Sequence, residues 1–92
     1  MTTPPQHLDE VRELYAGTYR RLVGIVALAA GSRADAEECV QEAFVRLIPR
    51  WSTVRRYDDP EAWVRLVAFR LLSSRWRSAA VARRAQPRLA AP

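Results

Sequence analysis

Between Gly31 and Trp51 the apolar residues recur at intervals that only a helix can gather onto one side. Ala36, Cys39, Val40, Ala43, Phe44, Leu47 and Trp51 are three or four positions apart. That spacing forms one face of a helix but would scatter over both faces of a strand. The boundaries are also written locally. Gly31 accepts the left-handed backbone that ends a preceding helix. Ser32 is a good N-cap, and Asp35 places an acid at the positive end of the next helix. The pattern predicts a helix from about Arg33 to Ile48, ended or kinked by Pro49. Upstream, Leu8, Val11, Tyr15, Tyr19, Leu22, Val26 and Ala29 predict another from His7 to Ala30. Gly17 and Gly24 weaken it, and Gly17–Thr18 is where it would break. Downstream, Asp59 as N-cap, then Pro60 and Glu61, open a third helix to about Arg77. This helix can extend through an Ala-rich stretch to Pro87, which should stop it. Residues 50–58 read as a loop, 1–6 as a disordered Thr/Pro-rich start, and 79–92 as a linker or frayed tail. The foldable part is residues 7–78. No strand pattern, Gly-rich phosphate loop or repeat is present. The expected fold is all-α, a compact bundle of three to four helices.

With 92 residues the chain suits one small domain and is too short for a large enzyme fold with a deep cleft. Its longest apolar run, Leu22 to Ala30, is nine residues, where a membrane span needs roughly 20. The start lacks the basic and apolar regions of a secretory signal. A single cysteine cannot staple the fold, so a cytoplasmic protein held by its core is expected. Catalytic chemistry has little to work with. His7 is the only histidine, Cys39 lies on an apolar face, and the adjacent Glu37 and Glu38 diverge on a helix. No metal-ligand set, cofactor motif or small-molecule substrate site is expected.

The charge is more informative. All 15 cations are arginine, whose planar fork suits phosphates and base edges and stacks on rings. Residues 1–45 carry a balance of −3 and residues 46–92 one of +8, so one end suits a polyanion and the other does not. On the second helix, Asp35, Glu38, Gln41, Glu42 and Arg46 surround Val45, away from the apolar stripe. This is either an ordinary solvated face or an apolar-centred protein contact. On the third helix, Trp63, Val64, Val67, Ala68 and Leu71 can face the core. Arg65, Phe69, Leu72, Ser73 and Trp76 then collect opposite, with Arg55, Arg56 and Tyr57 just upstream. Rings among arginines fit single-stranded nucleic acid, because bases stack while guanidinium groups hold phosphates. Alternatively Phe69 and Trp76 pack on the first helix or on another domain.

Two motifs then point further. Asp35-Ala-Glu-Glu-Cys-Val-Gln-Glu-Ala-Phe44, with the flanking Gly31 to Leu47, is followed by Asp59-Pro-Glu-Ala-Trp-Val-Arg-Leu-Val-Ala68. Together they resemble region 2 of bacterial extracytoplasmic-function (ECF) sigma factors, members of the sigma-70 family. Leu14-Tyr15 and Tyr19 to Val23 also look like that family's first helix. The resemblance covers roughly residues 8–78. It implies a sigma-70 region 2-like helical domain that binds RNA polymerase core and recognises and helps melt the promoter −10 element. It implies contact with the clamp helices of the largest polymerase subunit through Glu38, Gln41 and Glu42, with Asp35, Val45 and Arg46 beside them. It implies capture of a flipped base from the non-template strand by the loop at Ser52, Arg55, Arg56, Tyr57 and Asp58. On the last helix, Arg65, Phe69, Arg70, Ser73, Trp76 and Arg77 are implied to meet DNA.

The chain departs from the family pattern at Arg70, where asparagine is common, at Ser74, where aspartate is common, and at Pro49, where the helix usually continues. Residues 79–92 cannot hold a helix-turn-helix reading the −35 element, so either the chain is a fragment of a longer protein, which is the expected case, or that second module acts in trans. Another function class remains open: an interaction module, an anti-sigma target or polymerase-binding regulator, that does not itself read DNA. A membrane-surface helix is disfavoured, because arginines lie on several sides of the third helix. A plain helix-turn-helix is disfavoured by the long connection before that helix.

Overall fold

The structure is a computed structural model that describes residues 4–90, with side chains for 4–85. Helix α1 spans Pro5–Ala30 and α2 spans Arg33–Leu47. A 3-10 turn, Ile48–Arg50, leads into the single-turn helix α3, Trp51–Val54, and α4 spans Pro60–Ala90. No strand occurs among the described residues. The expected helical bundle is what forms, with α2 packed on both α1 and α4.

Helix α1 begins at Pro5, two residues earlier than expected. Proline suits that position, since its missing N–H has no partner there anyway. The break foreseen at Gly17–Thr18 does not occur. The Thr18 hydroxyl donates to the Leu14 carbonyl one turn back, at 2.7 Å, which lets Thr18 sit buried in the seam. Val11, Leu22, Val23 and Val26 supply α1's share of the core. Leu8 and Ala29, expected inside, are exposed, and Val23 takes up the stripe.

Gly31 has φ 69° and its N–H bonds the Ala27 carbonyl at 2.8 Å, which ends α1. Ser32 Oγ accepts from the Asp35 N–H at 3.2 Å and starts α2. All seven apolar positions of the second-helix stripe, Ala36 through Trp51, are buried.

After α2 the outcome differs from the expected loop over 50–58. Pro49 has no N–H for a continuing α-helix, yet Ile48 keeps helical backbone, with φ −51° and ψ −54°. The chain tightens into the 3-10 turn and resumes as α3. Trp51 and Val54, three apart, bury themselves in the core. Only residues 55–59 connect to α4, and Ser52 belongs to α3 rather than to a loop.

Asp59 caps α4, its Oδ1 accepting from the Ala62 N–H at 3.1 Å. Val64, Ala68 and Leu72 form the buried edge of α4. Leu72, expected on the opposite side, is only 2% exposed, and Leu71, Val67, Trp63 and Phe69 pack partly buried around this edge. The helix also runs past the expected stop at Pro87 and through most of the expected tail. Ala79, Ala80, Ala82 and Ala85, interspersed with Arg83 and Arg84, are among the strongest helix formers and carry it outward. At about 1.5 Å per residue α4 is about 46 Å long, and most of its side chains from Ser73 to Ala85 are exposed. Residues 1–3 and 91–92 lie outside the described residues, and so do those parts of the expected disordered start and tail.

Candidate functional site

The outer side of α2 carries the residues expected to meet a protein. Its core stripe is fully occupied, so Asp35, Glu38, Gln41, Glu42, Val45 and Arg46 are all turned to solvent. Val45 is 59% exposed at the centre. The Gln41 amide donates to the Tyr19 hydroxyl at 2.9 Å, tying this side of α2 to α1. Arg46 pairs with Glu42 one turn back at 3.3 Å. Glu38 pairs with Arg75 of α4 at 2.8 Å.

Val45 is not an isolated apolar spot. It lies in a groove between α1 and α2 with Val11, Tyr15, Phe44 and Ile48, edged by Arg12 and Gln41. Tyr15 stacks on Tyr19 at 4.7 Å between ring centroids and meets Phe44 edge-on at 4.9 Å. Burial, with the neighbouring Tyr19 second, pushes the Tyr15 phenol above its ordinary range. Arg12 is not singled out from sequence because it lies 23 residues before the acidic motif that begins at Asp35. Tyr15 was placed in the core stripe, but a ring with a polar tip four residues before Tyr19 also suits a groove edge.

The second surface comprises residues 55–59 and the outer side of α4. Arg56, Tyr57 and Asp58 are exposed, Tyr57 by 48%. Arg55 is exposed too, but one side of its guanidinium is engaged. Its Nε and a terminal nitrogen donate to the Glu10 carboxylate at 3.1 and 3.0 Å. The same carboxylate accepts from the Trp51 indole at 3.0 Å. Arg55 first, then Trp51, hold the Glu10 carboxyl below its usual range. Ser52 is exposed on the far side of α3.

Along α4, Phe69, Arg70, Ser73 and Arg77 line one shallow groove. Phe69 is half-buried against the core, whereas Trp76 is 49% exposed. Arg65 is half-buried, near Glu61, whose carboxylate takes a bidentate contact from Arg21 at 2.7 and 2.9 Å. A second groove was not foreseen. The turn at Pro49 brings Arg46 and Arg50 opposite Trp63, Arg70 and Ser74. Arg46, grouped with the acidic face from sequence, therefore also borders the cationic one. Arg50 has no assignment from sequence because the resemblance places the DNA-binding part of the loop from Ser52 onward.

Among the described residues no three His, Cys, Asp or Glu side chains gather as metal ligands, and no helix is long and apolar enough to cross a membrane. Cys39 is buried, and burial pushes its thiol up, away from the reactive thiolate. The molecule is a helical binding domain with an acid- and groove-bearing face on α1 and α2 and an arginine- and ring-bearing face on α4. The sequence model of the Sigma-70 region 2 family matches residues 14–81, and the chain belongs to that family. These are transcription-initiation domains rather than catalytic ones, with roles in RNA polymerase binding and promoter recognition. Searches among curated proteins and among solved structures returned no match.

Proposed function

We propose that this domain acts in the cytoplasm as an ECF-type module that docks on RNA polymerase core through α1 and α2 and holds the opened −10 element through residues 56–58 and α4. The observation that carries it is the separation of surfaces. Exposed carboxylates flank the Val45 groove of α1 and α2, while Arg56, Tyr57, Arg70, Trp76 and Arg77 stand exposed on the connection before α4 and on α4 itself, the two surfaces meeting at Arg46 and at the Glu38–Arg75 pair. The α2 face repels DNA and offers an apolar centre with a polar rim to the clamp helices of the largest subunit. Arg12 and Tyr15 extend that contact onto α1. The same groove is open to an anti-sigma protein, which would compete with core.

On the α4 side, arginines displace counterions from phosphates, so affinity falls steeply with salt. Tyr57 and Trp76 stack with unstacked bases of the non-template strand. Binding that favours the open strand over the duplex shifts the equilibrium toward melting. The test is selection of single-stranded 20-mers from a random pool by the chain with core polymerase. Enrichment of one short motif is expected, lost on Tyr57→Ala with Arg56→Ala. Val45→Glu should abolish co-purification with core while leaving the helical spectrum intact. An unenriched pool would sink the DNA assignment, and undiminished co-purification would sink the docking face.

A further inference from the structure

Glu10 belongs to neither surface, yet it is where the N-terminal part of α1 meets α3 and the connection beyond it. Three donors converge on one carboxylate: the Trp51 indole and two nitrogens of Arg55, from residues 41 and 45 positions away. Trp51 is buried, so its indole N–H needs an acceptor, and Glu10 supplies it. The Arg55 fork is bidentate, the arrangement that combines strength with fixed direction. The contact takes Nε and one terminal nitrogen, so the carboxylate fixes the direction of the fork and leaves only the other terminal nitrogen to a further acceptor.

Arg55 is also the first residue of the connection. Behind it, backbone bonds from Arg55 to Trp51, Arg56 to Thr53 and Tyr57 to Val54 set the path of the next two residues. What seats Trp51 and Arg55 therefore sets where Arg56, Tyr57 and Asp58 emerge. We propose that Glu10 is a positioning residue for the strand-binding loop, holding Arg55 as a strut so that Arg56, Tyr57 and Asp58 face the DNA while Arg55 itself does not touch it. This rests on the proposal that the loop holds a single strand.

The experiment compares the full chain with Glu10→Ala, Arg55→Ala and the double variant. Each is titrated with core polymerase against a fluorescein-labelled single-stranded 20-mer recovered from the random pool. Amide exchange at residues 55–58 is followed in parallel, and circular dichroism fixes the folded fraction. Each single variant should weaken binding about fivefold, the scale of one partly exposed ion pair with its hydrogen bonds. The double variant should be no weaker than either single, amide exchange should quicken in all three, and the salt slope should stay as in the parent. Should a single variant unfold at assay temperature, Glu10→Gln, which keeps an oxygen for the indole, is expected to bind with the same unchanged slope. Losses that multiply, with the Arg55→Ala slope reduced by about one, would place Arg55 on a phosphate and overturn the proposal. Parental affinity alongside quickened exchange would also overturn it. Parental affinity in Arg56→Ala and Tyr57→Ala would instead remove the loop from the DNA interface, and the positioning role with it.

Discussion

The face that α4 offers to a ligand depends on which of two adjacent leucines it buries, and truncation separates the possibilities. Leu72 is 2% exposed and sits beyond Val64 and Ala68 on the inner edge, whereas Leu71 is partly exposed at the rim of the arginine groove. Removing a fully buried leucine side chain to alanine costs about 2–5 kcal/mol, from lost transfer energy plus the cavity left behind. At the rim, where solvent and neighbours can fill in, about 1 kcal/mol is expected. In a chain of this size 1 kcal/mol moves the melting temperature by about 4–8 °C. Leu72→Ala should therefore melt about 8–40 °C lower and Leu71→Ala about 4–8 °C lower. The assay is urea and thermal unfolding followed by circular dichroism, with the urea m-value unchanged in both. If Leu71→Ala is the more damaging, α4 is rotated relative to the core. Arg70, Ser73 and Arg77 would then no longer share the outward groove.

Gly17 and Gly24 lie in mid-helix with open space where a Cβ would stand, so alanine at each should add about 0.5–1 kcal/mol of stability in urea unfolding. Gly31→Ala should subtract about 1–2 kcal/mol, because φ 69° is left-handed. Arg55 and Arg21 hold the Glu10 and Glu61 carboxyls below the usual range. Their contribution is thus present above the unfolded carboxylate value, about 4.3, and is lost as pH falls through the lower folded values. A Glu10→Gln, Glu61→Gln variant should have a lower urea midpoint at pH 7 and a shallower fall below about pH 4.3. Native Cys39 should react with a thiol reagent on the order of 100-fold more slowly than in urea, since the buried thiol must first be exposed by opening.

Helix α2 is legible because it buries one clean stripe between two neighbours, and the end of α1 at Gly31 and the starts of α2 at Ser32 and α4 at Asp59 are legible because each uses a local hydrogen bond or backbone preference that depends on nothing distant. Helix α3 was not, because Pro49 breaks one hydrogen-bond pattern without ending helical backbone, and the burial of Trp51 and Val54 is a tertiary event. Leu72 was misplaced because α4 is apolar over a wide arc, and periodicity in a wide arc does not select which line faces inward. The two functional faces were readable in kind, since charge sign and ring placement survive any small rotation. Individual roles were less so. An arginine in sequence does not reveal whether it is paired, and the partner of Arg55 lies forty-five residues upstream. The meeting of Arg46, Arg50 and Arg70 depends on the turn at Pro49 folding the chain back beside α4.

Helix α4 is one unbroken rod, rooted in the core at Val64, Ala68 and Leu72 and free of it farther on. Its outer half therefore inherits its compass bearing from its rooted half, with no joint between them to absorb an error. One alanine inserted after Leu72 would swing Trp76 and Arg77 by about 100° and carry them about 1.5 Å farther out, leaving every buried contact before the insertion untouched.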